Sequence, residues 1–285
     1  MTHSVVELLR SGTRTLERGS DSARLDAELL LGALLGASRA GLIARSEEPV
    51  APGHERAFAG LIARRLQGAP VAYLTGVREF WSLPLKVSPA VLVPRPETEL
   101  LVELALERLP PEQPSTVLDL GTGSGAIALA LACERRAARI VAVDVSAVAL
   151  RVARQNSRAL RVVNVEWRRG SWFDPVPAER FDLIVANPPY VAAADPALAQ
   201  LTAEPFIALS SGPSGLEALA AIARDAPRHL HPGGALLLEH GADQALEVRR
   251  MLESRGFAGV RTHHDLSGKP RVTLGSFHSH SKELL

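Results

Sequence analysis

The sequence predicts an α/β protein, a doubly wound and mostly parallel sheet preceded by a small helical domain. Three observations carry this reading. From Thr116 onward, apolar runs of strand length alternate with stretches of helical period. Residues 1 to about 70 differ in pattern and read as short amphipathic helices. The first strand of the alternating region also passes directly into a glycine-rich turn and a helix. A chain of 285 residues has room for this arrangement. The expected division is a helical domain over 1–73, a hairpin or linker over 74–93, and a sheet domain over 94–285.

The elements follow in chain order. Ser4 caps a first helix through Arg18, with Val5, Leu8, Leu9 and Leu16 on one face. Asp21 or Ser22 caps a second, with Leu25, Leu29 and Leu30 inward and Gly36 after its end. A third runs from Gly53 to Leu66 and stops at Gly68 and Pro70. Glu79 to Val87 holds two apolar runs around Pro84, a hairpin or extended linker. Val91 to Leu106 leads into a helix. Pro96 sits in its first turn, and Glu97 and Glu99 favour the positive end of its dipole.

Strands are expected at Thr116–Leu120, Arg139–Asp144, Val165–Arg169, Phe181–Ala186, Ala235–Glu239 and Arg271–Leu274. Helices are expected at Ala126–Arg135, Ala147–Arg158, Gly215–Ala226 and Asp243–Arg255. The gap from Pro188 to Pro213 is long and rich in Ala, Pro and Ser, as functional insertions after a central strand often are. The tail from Ser276 to Leu285 reads as frayed, and its His278 and His280 are a weak metal signal.

Composition excludes several classes. Hydrophobic residues make up 46% and charged residues 22%, which is an ordinary globular balance and not a disordered one. The single Cys133 excludes an internal disulfide and a multi-cysteine metal site, and points to a cytoplasmic setting. No run of about 18 apolar residues exists, so no membrane-spanning helix is expected. The net charge of +1 gives no support to a strongly basic nucleic-acid binder. Arg151, Arg154, Arg158 and Arg161 recur at helical spacing and read as a solvated face. His240, His263 and His264 show no spacing that suggests a metal site.

The segment VLDLGTGSGAIALALA, Val117 to Ala132, is strand, turn and helix. Gly121, Gly123 and Gly125 permit a tight turn and the close approach of a ligand. Asp144 follows about 20 residues later, at the end of the second strand, where a carboxylate accepts the hydroxyls of a ribose. The ligand is therefore read as containing adenosine. The turn also fits a dinucleotide pattern, but Asp119 beside it would repel a diphosphate. It would suit a cationic end, such as the ammonium and sulfonium of S-adenosylmethionine.

The fourth strand ends in Asn187-Pro188-Pro189-Tyr190, at the carboxyl end of a parallel strand, where such sheets bind ligands. The two prolines fix the backbone and remove two donors. The Asn187 side chain and the Pro188 carbonyl remain as rigid acceptors, suited to an NH2 group on a planar carbon. Tyr190 can cover its flat face. Asn187, Pro188 and Tyr190 are the catalytic candidates.

With these motifs on the page, the sequence resembles the class I S-adenosylmethionine-dependent methyltransferases that act on nitrogen. Leu74 to Glu103, Ser171 to Phe173, Glu204 to Leu209, Leu237 to Gly241 and Asp265 to Gly275 make it similar to the HemK-type release-factor glutamine methyltransferases. The similarity spans nearly the whole chain, including Asp26 to Gly36. It implies a class I methyltransferase-like sheet domain and N5-methylation of the glutamine in the Gly-Gly-Gln motif of peptide-chain release factors. S-adenosylmethionine would be the cofactor, with no metal. By that resemblance Gly121, Thr122, Gly123, Ser124 and Gly125 hold the methionine part of the cofactor. Asp144 holds the ribose and Trp172 lies by the adenine. Asn187, Pro188, Pro189 and Tyr190 grip the glutamine amide, with Asn187 also beside the cofactor. Two positions depart from the family pattern: Ser171 and Ser214 stand where acidic residues are common.

The chemistry implied is direct in-line transfer, in which orientation replaces a strong base. Release factors are the expected partners, read by residues 1–73, with no membrane and no nucleic acid required. Rival readings are an adenine-N6 DNA or RNA methyltransferase acting on a flipped base, a nicotinamide-dependent dehydrogenase, and a non-catalytic cofactor-binding module. Arg95, Glu97 and Thr98 would line the mouth of the site. Phe80 and Trp81 are better read as packing.

Overall fold

The computed structural model describes residues 2–278. Its chain forms two compact units, Met1–Val77 and Arg78–Leu285. His280 and the rest of the tail from 279 onward lie outside the described residues.

The first unit is helical: α1 (Val5–Leu16), α2 (Ala23–Leu35), α3 (Arg39–Ala44), α4 (Pro52–Leu66) and α5 (Val71–Thr75). Ser4 and Glu7 form a reciprocal capping box at the start of α1. The inner face of α2 differs from the sequence expectation. Leu25 and Leu29 are each 41% exposed, while Ala27, Leu30 and Leu31 are fully buried. The helix is turned this way because two of its carboxylates are held by arginines. Asp26 accepts from Arg65 at 2.8 Å, and from Ser20 and Ser22. Glu28 accepts from Arg24 at 2.9 Å and Arg39 at 2.6 Å. Both buried carboxylates are stabilised by these donors below their ordinary range, against the cost of burial.

The second unit opens with a hairpin, β1 (Val77–Phe80) and β2 (Leu83–Lys86). Its turn is Trp81-Ser82, both with positive φ, +52° and +57°. Such a turn matches the twist of the paired strands. Trp81 is held there because its backbone N–H donates to Glu99 at 2.8 Å and its indole N–H to Glu134 at 3.0 Å. Pro84 is not the corner. It lies within β2 at an exposed position, where a missing donor is tolerated. Phe80 is buried in the core.

The sheet strands are β3 (Thr116–Leu120), β4 (Arg139–Asp144), β5 (Val165–Arg169), β6 (Phe181–Ala186), β7 (Leu230–Glu239), β8 (Phe257–His264) and β9 (Pro270–Phe277). The helices between them are α6 (Glu99–Arg108), α7 (Ala126–Glu134), α8 (Ala147–Leu160), α9 (Glu217–Asp225) and α10 (Ala245–Ser254). The strand order is β5-β4-β3-β6-β7-β9-β8. Strands β3 to β7 pair in parallel, and β9 runs antiparallel to both β7 and β8. Strand β9 continues to Phe277, so Ser276 and Phe277 belong to the sheet and not to a frayed tail.

Alternation along each strand serves two cores. Val117, Ile140, Leu183 and Leu237 face the side covered by α6, α7 and the hairpin. Leu118, Val141, Ile184 and Leu236 face the side covered by α9 and α10. The chain winds outward from β3 to β5, then returns to place β6 on the other side of β3. That reversal makes a crevice beyond the carboxyl ends of β3 and β6, the place where open α/β sheets bind ligands.

Candidate active site

The crevice holds a cleft of about 270 Å³. Its walls come from three strand ends. Gly121 and Gly123 follow β3, Asp144 ends β4, and Asn187 and Pro189 follow β6. Ser171 and Trp172 close one side, and Val91, Leu92, Pro205, Ile207 and Ala208 also line the cleft.

Two glycines of the turn do different work. Gly121 (φ +76°) faces the cleft, and a Cβ there would point at Trp172 Cζ3 from 3.7 Å. Gly125 (φ +84°) is packed. A Cβ there would lie 2.9 Å from Trp167 and 3.1 Å from Leu129. Thr122 and Ser124 are also turned inward. The Thr122 hydroxyl donates to Asp119 Oδ2 at 2.6 Å, and the Ser124 carbonyl accepts from Asn156 at 2.9 Å. Asn156 uses its remaining polar groups on both main-chain groups of Lys86, joining β2 to the turn. Thr122, Ser124 and Gly125 therefore shape the turn from behind, while Gly121 and Gly123 form its exposed lip.

Asp144 is braced at the cleft wall. Oδ2 accepts the Gly123 N–H at 2.8 Å, and Oδ1 accepts the Ser146 N–H at 2.8 Å. Each oxygen keeps a lone pair for a further donor. Burial raises its pKa despite the two backbone bonds. Asp119 lies beneath the turn, fully buried, with Oδ1 unpartnered among the described residues. Desolvation pushes its carboxyl up to about 7. A braced carboxylate for hydroxyls and a glycine lip opposite an indole fit an adenosine ligand.

At the other wall, the Asn187 Nδ2 donates to Thr98 Oγ1 at 3.0 Å. Its Oδ1 is thereby left toward the cleft as an acceptor. Pro188 is buried, and Tyr190 packs on the core beneath α9 and α10. Asn187 and Pro189 line the cleft, with Pro188 between them. The Tyr190 carbonyl accepts from Gln244 at 2.9 Å, which fixes the end of the motif. Burial raises the Tyr190 pKa, with Glu239 adding to the effect, so the phenol stays protonated.

Sequence reasoning missed several residues that organise this site. Glu204 is buried and accepts from the Val93 N–H at 3.0 Å and from the Arg95 guanidinium. It ties the segment before α6 to the long connection after β6. Glu239, 1% exposed, stands behind Asn187. Thr98 was expected at the mouth of the site but is 4% exposed behind the motif. No local pattern marks an acidic residue for burial, because its partners are distant in sequence.

Comparisons with known proteins bear on the chain as a whole. Residues 7–76 match the family described as PrmC N-terminal domain, and residues 97–263 match the methyltransferase small domain. A release factor glutamine methyltransferase of Xylella fastidiosa is 48% identical over 274 residues, covering 95% of this chain and 98% of that protein. The protein so named in Escherichia coli is 44% identical over 263 residues, covering 92% and 95%. That of Pseudomonas aeruginosa is 50% identical over 260 residues, covering 90% and 94%. Among solved structures, a Pyrococcus furiosus methyltransferase aligns with TM-score 0.53 at 19% identity, over 77% of this chain and 98% of that one. The 16S rRNA N2 G1207 methyltransferase of T. thermophilus aligns with TM-score 0.55 at 23% identity, over 71% and 50%. These two speak for the fold alone. The identities along almost the full length of both partners go further, and on them the chain belongs to the release factor glutamine methyltransferase family.

Proposed function

We propose that this protein transfers a methyl group from S-adenosylmethionine to the side-chain amide nitrogen of the glutamine in the Gly-Gly-Gln motif of peptide-chain release factors. The observation that carries the proposal is the orientation of Asn187. Its amide nitrogen donates inward to Thr98, so an acceptor oxygen faces the cleft beside a wall suited to adenosine.

When bound, S-adenosylmethionine supplies a methyl on a sulfonium, which is both electrophile and leaving group. Gly121 and Gly123 would leave space for its chain, Asp144 would accept from its ribose hydroxyls, and Trp172 would flank it. Asn187 Oδ1 and the Pro188 carbonyl accept the two N–H bonds of the target amide. A delocalised amide nitrogen is a poor nucleophile. Fixing both N–H bonds aims its remaining lobe in line with the methyl carbon. The N–C bond forms as the C–S bond breaks. Positive charge develops on nitrogen, and both acceptors strengthen as it does. The N-alkylated amide is then acidic enough to lose its proton to water, so no strong base and no metal is required. Residues 1–73 are assigned to recognition of the release factor, since every residue of the cleft lies after them.

The test is transfer of labelled methyl to purified release factor, to its Gln→Ala variant at the motif, and to bulk DNA. Label confined to the intact factor supports the proposal. Label on DNA, or equal label on the Gln→Ala variant, overturns it.

A further inference from the structure

Asn187 can act as an acceptor only if its carboxamide is held the right way round. The two ends of that group have nearly the same shape, and rotation by half a turn would present N–H to a substrate that itself offers N–H. The strand geometry does not choose between the two, so something behind Asn187 must. Residues Ala186 and Leu238 are paired neighbours on β6 and β7. Asn187 and Glu239, one step further along each strand, therefore project from the same face of the sheet. Thr98, at the start of α6, covers them there.

We propose that Thr98 and Glu239 are positioning residues that fix which end of the Asn187 carboxamide faces the cleft; this rests on the reading of Asn187 as the amide acceptor. The Asn187 Nδ2 donates to Thr98 Oγ1 at 3.0 Å, and the buried Glu239 carboxylate, at the neighbouring strand end, faces both groups. Thr98 has one proton to give. When Glu239 is ionised, that proton is drawn to the carboxylate, and the hydroxyl lone pairs are left for Asn187. The chain of donors then runs one way, from Asn187 through Thr98 to Glu239. Reversal of the carboxamide would set its oxygen against an oxygen. Thr98 and Glu239 are 4% and 1% exposed, so water cannot take over either role.

Protonation of Glu239 loosens this. A neutral carboxyl can donate to Thr98, whose own proton is then free to meet either end of Asn187. Burial raises the Glu239 carboxyl to about 7, with Thr98 and Asn187 opposing the rise. The charged and titratable groups around it are Arg271 of β9, which lowers the value, and Glu97 ahead of α6, which raises it. The Tyr190 phenol, from the end of the β6 motif, also faces it. Ionisation of Glu239, and with it the one-way arrangement, is thus gained as pH rises through about 7.

The experiment measures kcat on release factor, with cofactor saturating, from pH 5.5 to 9. The wild type is compared with Glu239→Gln, Thr98→Val and Thr98→Ser. Wild-type kcat should rise through about pH 7, and Glu239→Gln should lose that limb. Thr98→Val should lower kcat on the order of 10²-fold while S-adenosylhomocysteine binding is unchanged. Thr98→Ser, which keeps the hydroxyl, should recover to within a few-fold of wild type. Equal loss in Thr98→Val and Thr98→Ser, or a wild-type profile in Glu239→Gln, overturns the proposal. A second readout needs no turnover. The Asn187 side-chain amide resonance should shift with pH near 7 in the wild type and not in Glu239→Gln. Absence of that shift overturns the positioning role, whereas a wild type that shows the shift but methylates no release factor overturns only the assigned reaction.

Discussion

The two glycines of the turn should fail in different ways when given a side chain. In Gly125→Ala the new Cβ would stand 2.9 Å from Trp167 Cη2, 3.1 Å from Leu129 Cδ1 and 3.2 Å from Ala153 Cβ. Leu129 Cδ1 ends a rotatable side chain, but the Trp167 ring is rigid and the Ala153 Cβ cannot turn aside. Trp167 is on β5, Leu129 on α7 and Ala153 on α8, so three elements must move together. Overpacking of this kind costs about 1–3 kcal/mol. The left-handed backbone at φ +84° adds about 1–2 kcal/mol for any L residue. The expected destabilisation is about 2–5 kcal/mol, a large part of the roughly 5–15 kcal/mol that holds a domain together. In Gly121→Ala the backbone cost is similar, but the nearest atom is Trp172 at 3.7 Å, an ordinary contact. That methyl narrows the gap between the turn and the indole, so the loss should appear in ligand affinity. Urea unfolding and calorimetry with S-adenosylhomocysteine separate the two. Gly121→Ala should bind at least about tenfold more weakly, roughly 1.4 kcal/mol, with a modest loss of stability. A Gly125→Ala protein within about 0.5 kcal/mol of wild type, or a Gly121→Ala protein with unchanged affinity, would refute the division.

Three further outcomes are expected. Asn187→Ala should lower turnover by a factor of about 10²–10³ while cofactor affinity stays near wild type, because the defect lies on the nucleophile side; single-turnover rates within a few-fold of wild type would make the motif a structural turn. Asp144→Asn should weaken S-adenosylhomocysteine binding by about 1.5–3 kcal/mol through loss of a charged acceptor, and calorimetry showing no change would remove it from the site. Asp144→Ala is the poorer probe, since it also abandons the Gly123 and Ser146 N–H groups. For Asp119 the folded pKa is raised from 3.8 to about 7, so its charge opposes folding increasingly as pH climbs between those values. Asp119→Asn should therefore be more stable than wild type at pH 8, by at most about 4 kcal/mol, with that advantage gone near pH 4. Equal stability differences at the two ends, by urea unfolding, would count against a carboxyl titrating near 7.

What the sequence made legible follows from what periodicity encodes. Strands β3, β4 and β6 are largely buried, continuous in their apolar character and bounded by turn residues, and their limits, like those of the half-exposed strand β5, agree with expectation. Strand β8 escaped because of FAGVRTHH only Phe257 is buried, so no apolar run or alternation marks it. The helices α3 and α5, at 6 and 5 residues, are too short to complete an amphipathic repeat. Strand β7 begins at Leu230, across a stretch containing Pro232, Gly233 and Gly234 that reads as a turn but pairs with β6 through an irregular register.

The candidate site divides in the same manner. Residues that meet a ligand through the backbone or from a strand end announce themselves, because glycines, prolines and a terminal carboxylate mark local geometry. Gly121, Asp144 and Asn187 are of this kind. The residues that orient them are not. Thr98, Glu204 and Glu239 act across 89, 109 or 111 positions of chain, or between adjacent strand ends, and each is an ordinary residue until burial gives it a role. Two of the buried carboxyls around the crevice, Asp119 and Glu239, each keep an oxygen without a hydrogen-bond partner among the described residues and are held near 7 by desolvation. Such groups work against folding at neutral pH. Neutral isosteres would relieve that cost. Their position around one crevice is what the physical chemistry expects of a site in which stability is given up for a directed arrangement of charge and acceptors.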